Sequence, residues 1–369
     1  MNRKYFTPEQ LIKYLFFYRI LMAFMGEFVV RWMVLRGLGD TKLYINTKPL
    51  ALIREHGWHV LTDWVYLPRL IIGTVSTVLV YRILVHIALS IIAFYGIYQF
   101  LKEAKTGNTR MYNLLILMCF APSFAIWSSL AGKEALIVFS MGVICAQIIR
   151  FFKGEPVKFS LPLVIALWFI AVIKFYYLPF VVLSIVYIFF RQRINLTWKA
   201  DLVLLLVVLL GTIVGFWLFR YKIDSYTLNK LAGIYYKGAR STRPLMFTQS
   251  MDWFTKMPYW LPISLMGPTL HECSLSLQHL CTFIESCFLF VLFLYMLKDA
   301  PICIFRKFSV YYQWLVLGFN CMMFVLFAQY IQGVMNSGAA NRYRTNIYIP
   351  LLCFAYALTC VRERERDEE

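Results

Sequence analysis

Residues 127–153 read WSSLAGKEALIVFSMGVICAQIIRFFK. From Ala135 to Ile149 the side chains are apolar or small, with Gln147 as the one amide. Lys133 and Glu134 stand at one end of this run, and Arg150 and Lys153 at the other. A run of this length matches the hydrocarbon thickness of a bilayer, so it predicts a membrane-spanning helix near 134–151. Its two charged ends mark the two membrane faces.

Working outward, comparable runs predict further spans near 14–35, 82–101, 112–128, 159–174, 177–190, 201–219, 277–297, 311–331 and 345–361. The composition agrees: 60% of residues are hydrophobic and 15% charged, which excludes an ordinary soluble domain. The expected fold is all-α, a polytopic integral membrane protein of about ten transmembrane helices, with residues 1–369 forming a single transmembrane domain. Met1 to Gln10 are polar and basic, and no small-residue cleavage site follows the first apolar run, so that span is read as uncleaved.

Charge placement orients the chain. The formal net charge is +18. Basic residues fill alternate short connections: Arg3, Lys4 and Lys13; Lys102, Lys105 and Arg110; Arg150, Lys153 and Lys158; Arg191, Arg193 and Lys199; Lys298, Arg306 and Lys307. Arg362, Arg364 and Arg366 complete the set in the tail 362–369. With ten spans all of these fall on one side, which the positive-inside rule makes cytoplasmic, with both termini. Basic residues spread over short loops are also a poor nucleic-acid surface, so no such partner is expected.

Two long connections face the other way. Loop 36–81 carries Trp58, Trp64 and Tyr66 beside an apolar stretch from Leu67 to Val80, and reads as interfacial helices. An extra span near 67–81 is the rival reading, but it would invert every later loop. Loop 220–276 is basic, with Arg220, Lys222, Lys230, Lys237, Arg240, Arg243 and Lys256. That suits an anionic lipid-linked ligand, or simply lipid headgroups. The nine cysteines show no metal-ligand spacing, and no nucleotide-binding glycine pattern occurs. No cofactor is therefore expected, and the need for a divalent cation stays open from sequence. Cys273, Cys281 and Cys287 cluster near one span end as thiols or as a disulfide source.

The informative polar residues gather on the outer side: Asp40, Lys133, Glu134, Lys174, His271, Glu272, Asn341, Arg342 and Arg344. Ionisable groups at the mouth of an apolar bundle are costly and mark a site by default. Asp40 follows a Gly37-x-Gly39 break and reads either as a general base or as a helix N-cap. Lys133 reads as a phosphate contact or as an interface lysine partnered by Glu134. Arg342 and Arg344 offer the bidentate donors that a diphosphate requires. Glu27 and Arg31 are spaced as a structural i, i+4 pair, Glu285 lies within a span, and His86 reads as a buried histidine.

The order of these pieces resembles bacterial envelope-polysaccharide membrane proteins, either polymerase-like (O-antigen or capsule type) or GT-C glycosyltransferases. The matching pieces are Gly39-Asp40-x-x-x-Tyr44, the turn Pro122 to Glu134 with Trp127, Lys174 in a short outer turn, Pro268 to Glu272 ahead of Glu285, and Asn336, Gly338, Arg342 and Arg344. The resemblance implies a bacterial inner-membrane enzyme that extends glycans carried on undecaprenyl diphosphate at the periplasmic face. Its partners would be the polyprenyl-(di)phosphate-linked glycan, the lipid bilayer and other polysaccharide-assembly membrane proteins. In that reading Asp40, or alternatively Glu272, is the catalytic base. Arg342, Arg344, Lys133 and Lys174 hold the departing phosphate, with Tyr44, Glu134, His271 and Asn341 in the substrate site. Trp127, Trp253 and Trp260 are candidates to stack on sugars. Two other activities remain open from sequence: a GT-C transferase using a polyprenyl-phosphate sugar, and a flippase of lipid-linked oligosaccharides.

Overall fold

In a computed structural model, residues 6–32, 41–194, 197–236, 243 and 247–368 are described. Asp40 lies outside them. The described residues form helices and no strands: α1 (Pro8–Trp32), α2 (Thr41–Ile45), α3 (Pro49–His56), α4 (Tyr66–Leu79), α5 (Arg82–Glu103), α6 (Thr109–Met118), α7 (Pro122–Ser129), α8 (Lys133–Phe152), α9 (Leu161–Ile173) and α10 (Leu178–Arg193). Then follow α11 (Trp198–Tyr236), α12 (Asp252–Thr255), α13 (Met257–Met266), α14 (Leu270–Leu275), α15 (Leu277–Leu297), α16 (Ala300–Arg306), α17 (Phe308–Phe324), α18 (Ile331–Met335) and α19 (Ser337–Glu368). A π-helical segment, Val325–Tyr330, joins α17 to α18.

Six helical stretches among the described residues are long and apolar enough to cross a membrane: Arg82–Glu103, Lys133–Phe152, Phe175–Arg193, Leu277–Arg306, Phe308–Met335 and Ser337–Arg366. The count becomes seven if α6 and α7, bent by 59° at their junction, form one span. The chain is thus a helical, multi-pass membrane protein. Pro122 explains the bend: it starts α7 and holds the preceding Ala121 in an extended conformation. The run 112–128, expected as one span, is therefore two short helices at an angle.

α8 is the axis of the bundle, and its apolar window is wholly buried. It packs between α5, α9 and α19. The α5–α8 crossing is glycine-mediated, since a Cβ on Gly142 would lie 2.3 Å from the Gly96 backbone. Small residues at such a crossing let two backbones approach closely, which is how helices gain contact where lipid is as apolar as leucine.

One end of the bundle collects the charged connections. Lys105 pairs with Glu9 at 2.9 Å, and Arg150 with Glu103 at 3.0 Å and Glu155 at 2.8 Å. Lys307 pairs with Glu365 at 2.6 Å, Arg362 with Asp299, and the Asn108 amide donates to Glu363 at 2.7 Å. The basic loops that the charge pattern assigns to one side are thus neighbours in space.

At the opposite end, α4 has 14 residues and a length of about 21 Å, short of a bilayer core of about 30 Å. It packs on α2 and α5. α11 differs from expectation in length. The apolar run 201–219 continues as one helix to Tyr236, because no glycine or proline interrupts 216–232. A second small core, Phe247, Trp253, Tyr330, Ile331 and Val334, seats the following loop on the α17–α18 end. All nine cysteines are free thiols, Cys273, Cys281 and Cys287 included.

Candidate functional site

The site is built where four chain segments meet: the α7–α8 turn, the start of α8, the α9–α10 turn, and the first turns of α19. Glu134, the second residue of α8, is 2% exposed. Arg342 of α19 grips it with a fork, Nε to Oε1 at 2.8 Å and Nη2 to Oε2 at 3.3 Å. The Arg342 guanidinium also lies over the Trp127 ring, 5.8 Å from its centroid. Lys133 precedes Glu134 at the helix start, where the N-cap Gly132 supplies no side-chain cap. The first amides of α8 and its dipole therefore favour negative charge at this spot, and Glu134 Oε2 sits against Gly132.

Lys174 completes the constellation. It ends α9 with φ −142° and ψ 57° and turns the chain through a short Phe175–Tyr177 helix into α10. Its side chain is only 3% exposed. The ammonium donates to the Tyr176 hydroxyl at 2.6 Å and lies 4.5 Å from the Tyr343 ring centroid, 5.1 Å from Tyr176 and 5.6 Å from Tyr177. Three aromatic faces stabilise a cation that would otherwise be expensive to bury. Asn346 of α19 donates to the Tyr177 hydroxyl at 3.1 Å and so fixes this turn against the same helix that carries Arg342.

The cup is recessed. The Ala131 amide donates to His86 Nδ1 at 2.7 Å, and His86 Nε2 faces Glu27 at 2.9 Å. His86 is four residues into α5, so the α7–α8 turn lies about 6 Å below that helix end. Arg342 is five residues into α19, about 7.5 Å from its start. Glu27 holds His86 across helices, and the expected Glu27–Arg31 pair falls on a side chain, that of Arg31, outside the described residues. Arg19, buried in α1, donates to the Ser128 hydroxyl at 2.9 Å and carbonyl at 3.1 Å, securing the end of α7 from below.

The remaining expected residues are distributed around this cup. Arg344, two positions from Arg342, points away into a separate network. It donates to the Ser286 hydroxyl at 2.6 Å, the Leu265 carbonyl at 3.1 Å and the Ser123 hydroxyl at 3.0 Å. Ser123 in turn donates to Glu285 through its amide at 3.1 Å and its hydroxyl at 2.7 Å. Asn341 is half-buried with Oδ1 against Gly267, where a Cβ would come within 2.6 Å. Glu272 is 1% exposed, caps α14 through the Thr269 amide at 2.7 Å, and pairs with Arg243 at 2.7 Å. Arg243 also donates to the Gly333 and Val334 carbonyls at 2.9 and 3.2 Å, so this pair ties the 220–276 loop to α18. His271 is exposed, and Tyr44 is buried in the main core.

Among the described residues no group of three or more His, Cys, Asp or Glu side chains could hold a metal ion. An apolar pocket of 410 Å³ lies elsewhere, between α8, α10, α11 and α17 around Tyr187, Leu205, Tyr312 and Asn320. Phe180 and Phe324 stack at 4.7 Å, and Tyr177 meets Phe324 edge-on at 4.8 Å. Sequence reasoning missed Tyr176, Tyr177 and Tyr343, although the first two adjoin Lys174. It also missed Arg243, one basic residue among several in its loop.

Chemically, the cup offers three cations and one carboxylate in a recess with aromatic walls. Such a set can hold a polyanion and move a proton. No protein-family model, no curated protein and no solved structure matches the chain.

Proposed function

We propose that the protein is a membrane glycosyltransferase of the bacterial inner membrane that polymerises polyprenyl-diphosphate-linked glycan repeat units at the outer face. In this reading ten spans cross the bilayer, both termini are cytoplasmic, and the recessed cup opens to the periplasm. One observation carries the reading: Arg342 grips Glu134 next to Lys133 and over Trp127, while the buried Lys174 lies against Tyr343, the chain neighbour of Arg342.

The chemistry follows from the charges. Displacing a lipid diphosphate from an anomeric carbon builds positive charge on the sugar ring and negative charge on the departing phosphates. The second is the larger electrostatic task, and preorganised cations in a recess screened from bulk water meet it best. The bidentate guanidinium of Arg342 suits phosphate oxygens, whereas Lys133 and Lys174 act as point charges. Trp127 and Tyr343 offer flat faces to a sugar ring. A polyprenyl tail extends naturally into the bilayer from a cup set below the helix ends.

The test is chain elongation in cells deleted for this gene and supplied with variants at matched abundance. Lys174→Ala and Arg342→Ala are each expected to shorten the glycan ladder to single repeat units, a loss of about 100-fold or more in elongation. A normal ladder from both variants would remove the glycosyltransferase reading.

A further inference from the structure

Two buried Glu–Arg pairs flank the outer end of the bundle, and they are built differently. In the Glu272–Arg243 pair the side chains are 1% and 3% exposed, and the guanidinium donates to the carboxylate and to the carbonyls of Gly267, Gly333 and Val334. Those fixed backbone acceptors pin the arginine. A pair so enclosed is costly to separate and serves to hold chain segments together.

The Glu134–Arg342 pair shares the fork but not the enclosure. The Glu134 side chain is 3% exposed, whereas that of Arg342 is 16% exposed and lies over Trp127. Lys133 adjoins Glu134 in the chain, and Lys174 lies 4.5 Å from the Tyr343 ring centroid, beside Arg342 on α19. An arriving diphosphate brings two phosphate groups to a site where the Arg342 fork is engaged by the Glu134 carboxylate. Phosphate oxygens compete for the guanidinium in the same bidentate geometry and carry more charge.

We infer that Glu134 and Arg342 are an exchangeable pair, and that Glu134, once released, is the catalytic base that takes the proton of the acceptor hydroxyl. The inference rests on the glycosyltransferase reading above. In the step, the acceptor O–H bond breaks and its proton passes to a Glu134 oxygen. The acceptor oxygen forms the new bond to the anomeric carbon from the face opposite the leaving group. The bond from that carbon to the lipid diphosphate breaks, and its electron pair leaves on the diphosphate, held by Arg342, Lys133 and Lys174. The product has inverted anomeric configuration. Before substrate arrives, Arg342 keeps Glu134 occupied, so the base is set free only in the loaded site.

The experiment compares Glu134→Gln with Arg342→Ala in the full-length protein. Elongation is read in the deletion strain, and affinity for undecaprenyl diphosphate is read on detergent-solubilised protein at matched abundance. Glu134→Gln is expected to lower elongation by about 100-fold or more, the usual worth of a general base. It is expected to bind undecaprenyl diphosphate as tightly as wild type or more tightly, since Arg342 is no longer shared. Arg342→Ala is expected to lose about tenfold or more in that affinity. Glu134→Gln elongating within about threefold of wild type overturns the assignment. So does loss of diphosphate affinity by Glu134→Gln, which would mark a structural role. If Arg342→Ala also elongates and binds normally, the site reading itself has failed; if only Glu134→Gln stays active, the base assignment alone falls. Should Glu134→Gln not accumulate, Glu134→Asp decides. A base at this position moves the pH at which elongation rises, and a structural carboxylate leaves it where wild type has it.

Discussion

Asp252 closes a small ring of donors where the 220–276 loop returns to the bundle. Its Oδ2 accepts from the Thr248 amide at 2.8 Å, the Gln249 amide at 3.0 Å and the Lys256 ammonium at 2.8 Å. Burial alone would raise its pKa, but these donors outweigh it and pull the carboxyl from 3.8 down to about 2. A depressed carboxyl contributes stability above its unfolded pKa and loses it as pH falls through the folded value. Thermal unfolding of the solubilised protein is therefore expected to place wild type above Asp252→Asn by about 1 kcal/mol at pH of about 5, discounted because Lys256 is 39% exposed. That gap should close by pH of about 2, and a gap independent of pH would contradict the ring's electrostatic origin. The residue scale is also where the sequence is unevenly legible. Lys133, Glu134 and Lys174 stand out because each interrupts apolar surroundings. Arg243 does not, because its loop is basic throughout and nothing distinguishes the one arginine that pairs with Glu272.

At the scale of elements, spacing and composition located most helices, and the misses have physical reasons. The run 112–128 has the length of a span, yet Pro122 splits it, and hydropathy does not register a bend. The crossing of α5 and α8 is equally hidden, since a glycine in an apolar run reads the same whether it faces lipid or a neighbouring backbone. Two substitutions separate those cases. At Gly142 a methyl group would sit 2.3 Å from the Gly96 backbone, which cannot yield without moving a helix, so Gly142→Ala is expected to cost about 1–3 kcal/mol and to lower abundance. At Gly211 in α11 nothing lies within 4 Å of the added atom, and the alanine gains up to about 1 kcal/mol of helix propensity. Size-exclusion profiles after heating would report both. Equal behaviour of the two variants would mean that the α5–α8 contact is not the tight one described here.

For the whole molecule, sidedness decides whether the site can meet a lipid-linked glycan. Contacts among residues 9, 103–108, 150–155, 299–307 and 362–365 gather the basic connections at one end of the bundle. The cup, at the start of α8 and of α19, lies at the opposite end of those same helices. Which end faces the cytoplasm depends on the energetics of insertion: short loops rich in Lys and Arg are retained, whereas a long basic loop such as 220–276 crosses largely regardless of its charge. The expected outcome is that a fluorescent protein fused after Glu369 fluoresces while alkaline phosphatase fused there is inactive. Alkaline phosphatase inserted at the exposed Ser250 should be active. This follows from the fold because α19 runs from the cup to the charged end in one helix of 32 residues, about 48 Å, so the two ends cannot share a membrane face. The reverse pattern would put Glu134, Lys174 and Arg342 on the cytoplasmic side. The same charges would then face soluble substrates, and the outer-face polymerase reading would fall even if every variant at the cup were inactive.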